Sequence, residues 1–173
     1  MFLLATLNKL QLWAADIGNA FLNANHARDK VTCRSVSGIC MMINHTVVKT
    51  VSKRQSTVES STYGSELVAA RIATDMAVET LYTLQMLGVS IDGSILLLGD
   101  NKSVVLNTTI PSSALKKKHN AIAYHRVRGT IAARIICFCH IDTQVNLADI
   151  FTKPLGNDDS SYPVQESRGA STS

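Results

Sequence analysis

Apolar positions recur along this chain in two rhythms, and the rhythms divide it into alternating strands and helices. Residues 35–45 alternate through Ile39, Met41 and Ile43, and residues 46–52 carry Val47, Val48 and Val51. Both stretches predict strands, with Asn44-His45 as the turn between them. The rhythm then changes. Leu67, Val68, Ala69, Ala70, Ile72, Ala73, Met76, Ala77, Leu81, Leu84 and Leu87 recur at helical spacing as far as Gly88, a natural C-terminal stop. Ser61 and Thr62 can cap the start of this helix, which puts Glu66 in its first turn, where the helix dipole favours a negative charge.

Residues 94–99 hold a continuous apolar run, Ile95-Leu96-Leu97-Leu98, of the kind buried on both faces of a sheet. Past Asp100-Asn101, residues 102–109 read as helix until Pro111 stops it. A further helix is expected over about 119–134, a strand over 135–141, and a short helix at about 146–152. From Gly156 onward no apolar period remains, and residues 156–173 are expected to be disordered. The order of elements is that of an α/β domain with a mixed sheet.

The totals narrow the picture. At 173 residues the chain is long enough for one domain with a real core, and 46% apolar against 17% charged residues is globular. The longest apolar runs, 95–98 and 135–139, are far short of a membrane span, and residues 1–12 lack a secretory cleavage pattern, so an intracellular, non-membrane monomer is expected. A net charge of +4 permits a polyanionic partner. Cys33, Cys40, Cys137 and Cys139 show no zinc-finger or redox spacing and are read as reduced core thiols, with Cys137 and Cys139 on one face of a strand.

Three acids stand where an α/β sheet places chemistry. Asp100 follows the central strand, Glu66 lies near the start of the crossing helix, and Asp149 sits near the last short helix. Convergent carboxylates suit hard divalent ions, and two such ions about 4 Å apart can stabilise both oxygens of an in-line phosphoryl displacement. The plainer reading makes Glu66 a helix-start acid and Asp100 and Asp149 caps of the helices that follow them.

The words around the acids favour the first reading. Ser52-Lys53-Arg54-Gln55, Ser60-Ser61-Thr62 with Glu66, Asp100-Asn101-Lys102-Ser103, Lys118-His119, Tyr124-His125 and Ala148-Asp149-Ile150-Phe151-Thr152-Lys153-Pro154-Leu155 occur in that order. The series resembles the ribonuclease H domain of copia-type retrotransposon polyproteins, over residues 23–155. The resemblance implies a ribonuclease H-like fold with a five-stranded mixed sheet flanked by helices, and hydrolysis of the RNA strand of an RNA–DNA hybrid. It implies that Glu66, Asp100 and Asp149 are metal-binding carboxylates for Mg²⁺ or Mn²⁺.

One position departs. Counting back from Gly38 by the family's spacing lands on Asn23, where the resemblance requires a fourth carboxylate on the first strand. A neutral amide cannot replace that charge, so a weakened two-ion site and impaired hydrolysis are expected, with a non-catalytic nucleic-acid-binding remnant as the alternative. Asp29 and Asp16 are the nearest spare acids. Asp16 falls in a stretch, residues 10–24, that resembles a reverse-transcriptase segment of the same polyproteins. Residues 1–22 are therefore read as a polymerase remnant without polymerase activity. Lys116, Lys117, Lys118 and Arg126, with Arg128, form a basic stretch expected to meet nucleic-acid phosphates. His140 precedes Asp149 by nine residues, where many ribonucleases H carry a histidine.

Overall fold

Five strands hydrogen-bond into one mixed sheet in the computed structural model, which describes residues 19–25, 33–43, 46–89, 91, 93–115 and 118–152. They are β1 (Asn19–Asn25), β2 (Val36–Ile43), β3 (Thr46–Arg54), β4 (Ile95–Gly99) and β5 (Ile136–His140). Their order is β3-β2-β1-β4-β5. β1, β2 and β3 pair antiparallel, whereas β4 lies parallel to both β1 and β5. That change of direction needs a crossover on one face of the sheet, which α1 (Thr62–Met86) supplies.

α1 lies close to the sheet because its inner face is made of small side chains. Ala69, Ala70, Ala73 and Ala77 are completely buried against Ala20 and Leu22 of β1 and Ile39 and Met41 of β2. The helix ends as its sequence predicts, with Leu87 as cap and Gly88 in the left-handed region at φ +75°. α2 (Lys102–Thr109) and α3 (Ala121–Ala132) complete that layer, with Val104 and Val127 in the same core. A smaller cluster on the other face joins Cys40, Leu98 and Ala148, flanked by Met42, Cys139 and Phe151.

Several expectations need correction. The helix expected at 146–152 is a 3-10 turn, Leu147–Phe151, preceded by another at Thr143–Val145. Only Cys40 of the four cysteines is buried; Cys33 and Cys137 are exposed. β1 crosses the position between residues 22 and 23, and its register with β2 runs unbroken from Ala20 to Asn25. The Asn44-His45 turn, Asp16, Asp29, Lys116, Lys117 and residues 156–173 lie outside the described residues. Among the described residues no helix is long and apolar enough to cross a membrane.

Candidate functional site

The parallel pairing of β1 with β4 sets the centre of the site. Leu22 stands opposite Gly99, so the next residue on each strand, Asn23 and Asp100, emerge side by side at the same end of the sheet. Their side chains meet: Asn23 Nδ2 donates to Asp100 Oδ2 at 3.1 Å.

Asp149 reaches the same point because a glycine leaves room for it. Asn23 pairs across the antiparallel ladder with Gly38 of β2. A Cβ on Gly38 would stand 2.6 Å from the Ala148 carbonyl and 2.9 Å from Thr152 Cγ2. The bare backbone thus lets the 147–151 turn settle onto the sheet. Two further contacts hold the turn there: Asn146 Nδ2 donates to the Leu22 carbonyl at 2.9 Å, and Ser52 Oγ donates to the Phe151 carbonyl at 2.6 Å. Asp149 Oδ1 then accepts from Asn23 Nδ2 at 3.5 Å.

Glu66 approaches from the helical layer. Ser61 caps α1, its hydroxyl accepting from the Gly64 amide, so Glu66 stands in the second turn and not the first. Its placement owes more to a direct bond than to the helix dipole: Oε1 accepts from the Ala24 amide of β1 at 2.9 Å. The carboxyl is buried, and among the described residues Oε2 has no hydrogen-bond partner. Burial pushes its pKa up to about 8; the Ala24 bond works against this shift, and the Asp100 charge adds to it.

Asn23, Glu66, Asp100 and Asp149 therefore line one open cavity of about 470 Å³, with Asn25, Thr62 and Thr152 on its wall. The capping reading of the acids does not survive. Asn101, not Asp100, caps α2 through bonds from Ser103 and Val104, and Asn146, not Asp149, caps the 147–151 turn. Neither aspartate has a capping task that would explain its position.

The oxygen donors suit a hard divalent ion in kind, with the Asn23 amide among them in place of a fourth carboxylate. The uncharged Asn23 amide directs its N–H groups at two of the carboxylates, Asp100 and Asp149. Among the described residues, no three His, Cys, Asp or Glu side chains form a ready metal-holding group.

The basic residues divide. Lys118 is exposed at the start of a 3-10 turn, Lys118–Asn120, that leads into α3. Arg126 is engaged by Asp75 of α1, with Nε 2.8 Å from Oδ1, and Asp75 also pairs with Arg71. Arg128 donates to the carbonyls of Ile110 and Pro111, each at 2.9 Å, and so holds the loop after α2. The neighbouring His119 lies 3.3 Å from the buried Glu59, which ties the entry of α3 to the start of α1. His140 turns towards the acids, its Nε2 lying 3.1 Å from the Asp100 carbonyl oxygen. Gly38, Ser52 and Asn146 went unremarked as positioning residues in the sequence. Of these only Asn146 carried a local signal, an Asn two residues ahead of the amide it caps.

No family model matches the chain. A retrovirus-related Pol polyprotein from transposon RE1 of Arabidopsis thaliana is 29% identical over 138 residues, 79% of this chain. The chain spans about 9% of that relative's length. Among solved structures, ribonuclease H1 from the halophilic archaeon Halobacterium salinarum superposes with a TM-score of 0.59 at 15% identity, over 77% of this chain and 92% of that one. LC11 ribonuclease H1, solved in complex with an RNA/DNA hybrid, gives 0.59 at 12% identity, over 77% and 91%. At such identities these superpositions establish the fold, a ribonuclease H fold with its five-stranded mixed sheet.

Proposed function

We propose that this chain, a ribonuclease H domain of a copia-type retrotransposon Pol polyprotein, engages RNA–DNA hybrids at the acidic cavity but hydrolyses the RNA strand little or not at all. One observation carries the reading. The Asn23 amide donates to Asp100 and leans on Asp149, so the carboxylates that should await a cation are already engaged by an uncharged side chain. An amide brings no negative charge, and its N–H groups repel a cation that its oxygen could otherwise accept. The position on the strand, the neighbouring Gly38 and the seating of the 147–151 turn are all consistent with a hydrolytic centre in which one atom group has changed.

The residues that remain still have defined work. Asp100 and Asp149 present acceptors at the mouth of the cavity, and Glu66, held by the Ala24 amide, forms its floor. Contacts to the hybrid backbone fall to exposed cations such as Lys118, which bind phosphate without reading sequence. A relative of the same fold held on an RNA/DNA hybrid supports that choice of ligand.

The test is hydrolysis of a labelled RNA–DNA hybrid in Mg²⁺. The unaltered chain should be near background, and Asn23→Asp should raise cleavage by on the order of 100-fold or more, the usual weight of one electrostatic group at a reacting phosphate or carbonyl. Asn23→Asp with Asp100→Asn is the inactive control. A second readout does not depend on turnover. Four clustered carboxylates should make the Asn23→Asp chain less stable without metal and raise its Tm on adding Mg²⁺, whereas the unaltered chain's Tm should barely respond. Robust Mg²⁺-dependent cleavage by the unaltered chain, abolished by Asp100→Asn, would overturn the proposal.

A further inference from the structure

On the outer strand β5 two cysteines stand in contact, neither of them lining the acidic cavity. A strand sends alternate side chains to the same face, and Cys137 and Cys139 follow that rule with their Sγ atoms 3.7 Å apart. Cys137 is exposed and Cys139 half-buried, so the pair is open to solvent on one side and supported on the other. The support comes from the smaller core, where Cys139 packs against the cluster of Cys40, Leu98 and Ala148. The backbone beneath is fixed by the ladder with β4, in which Leu96 stands opposite Cys137 and Leu98 opposite Cys139. Among the described residues β5 is an edge strand.

We propose that Cys137 and Cys139 form a bidentate site for a thiophilic d¹⁰ cation such as Zn²⁺ or Cd²⁺, with solvent completing the coordination. The spacing is the first reason. Two thiolates on a tetrahedral zinc ion, each at about 2.3 Å, stand about 3.8 Å apart, so the pair needs almost no movement to close on one. Rigidity is the second: the strand ladder holds both Cα positions, so chelation orders little that is not ordered already. Ligand softness is the third. Thiolates select Zn²⁺ and Cd²⁺ over Mg²⁺, which separates this site chemically from the carboxylates of the cavity.

A disulfide is the competing fate of two adjacent thiols, and the strand disfavours it. Two residues along an extended strand set the Cα atoms about 6.6 Å apart, at the outer limit for that bond. Among the described residues no third His, Cys, Asp or Glu completes a ligand group, so the remaining positions fall to water and the site stays open.

The experiment titrates Cd²⁺ into the full reduced chain with excess Mg²⁺ present, following thiolate-to-metal charge-transfer absorption and heat. One ion per chain is expected, displaced by Zn²⁺. Cys137→Ser and Cys139→Ser should each weaken binding by at least about 100-fold, beyond what loss of an outer-shell partner does. Cys33→Ser should leave it unchanged. Because Cys137 is exposed, its serine variant should melt like the unaltered chain without metal, which separates lost ligation from lost folding. Absence of the absorption band, or binding unaffected by Cys137→Ser, would overturn the site. Saturation at half an ion per chain would also overturn it, since the pair would then bridge two copies instead of binding solvent.

Discussion

At the scale of single residues, Glu66 and Asn23 answer the same electrostatic problem in different ways. Three acids converge on one cavity, and without a cation their mutual repulsion must be relieved. Asn23 relieves part of it by donating to Asp100 and Asp149. Glu66 holds its proton chiefly because it is buried, and to a smaller extent because of the Asp100 charge, with a pKa of about 8 against an ordinary value of 4.5. The sign of the consequence follows from linkage. Between those two values the folded chain keeps a proton that the unfolded chain has lost. The stabilisation is therefore complete below about 4.5 and is lost as pH rises towards about 8, at up to about 1.4 kcal/mol per pH unit. Glu66→Gln keeps the acceptor for the Ala24 amide and has no proton to lose. Denaturant melts of both chains from pH 5 to pH 8 should show the unaltered one losing stability relative to the variant. Parallel curves would mean that Glu66 is ionised throughout.

At the scale of elements, the site depends on how closely the 147–151 turn can approach β2. Gly38→Ala puts a methyl group into the Ala148 carbonyl and the Thr152 methyl, and the nearer contact is backbone that cannot rotate away. The turn must lift, carrying Asp149 from the cavity, and overpacking of this kind costs about 1–3 kcal/mol. Thermal melts should show the loss. In the Asn23→Asp background the same change should also remove whatever cleavage that substitution restores. Full cleavage with lowered stability would show that Asp149 does not need its present seat. Little of this was readable from the sequence. The helical period of α1 and the apolar run of β4 were plain, because burial on one face or on both writes itself into the pattern. β1 was obscured: in Asn19-Ala20-Phe21-Leu22-Asn23-Ala24-Asn25 the buried face is partly alanine, and asparagine is a poor strand former. The acids could be found because motif words surround them, but the glycine, serine and asparagine that seat Asp149 act through contacts more than 90 residues apart, which no local pattern records.

At the scale of the whole molecule, binding and cleavage should be separable, because they rest on different charges. In the proposed reading cleavage would depend on four side chains in one cavity, whereas attraction for a hybrid would depend on the surplus of cations, +4 over the chain. Phosphate contacts release counterions, so affinity measured without divalent metal should fall linearly on a log–log plot as salt rises, with a slope of roughly −0.7 to −0.9 per contact. Individual cations can be sorted by that slope. Lys118 is exposed, and Lys118→Ala should reduce the slope by about one contact. Arg126 is held by Asp75, so Arg126→Ala should leave the slope almost unchanged and lower stability by less than about 1 kcal/mol, as befits a half-exposed pair. Asn23→Asp should bind hybrid in metal-free buffer no more tightly than the unaltered chain, since it adds a negative charge near the phosphates while restoring cleavage only with Mg²⁺. Fluorescence anisotropy with a non-cleavable hybrid across a salt series checks all three. Binding that ignores salt, or an Arg126→Ala chain that loses the slope Lys118→Ala keeps, would show that the hybrid meets a different face of the domain.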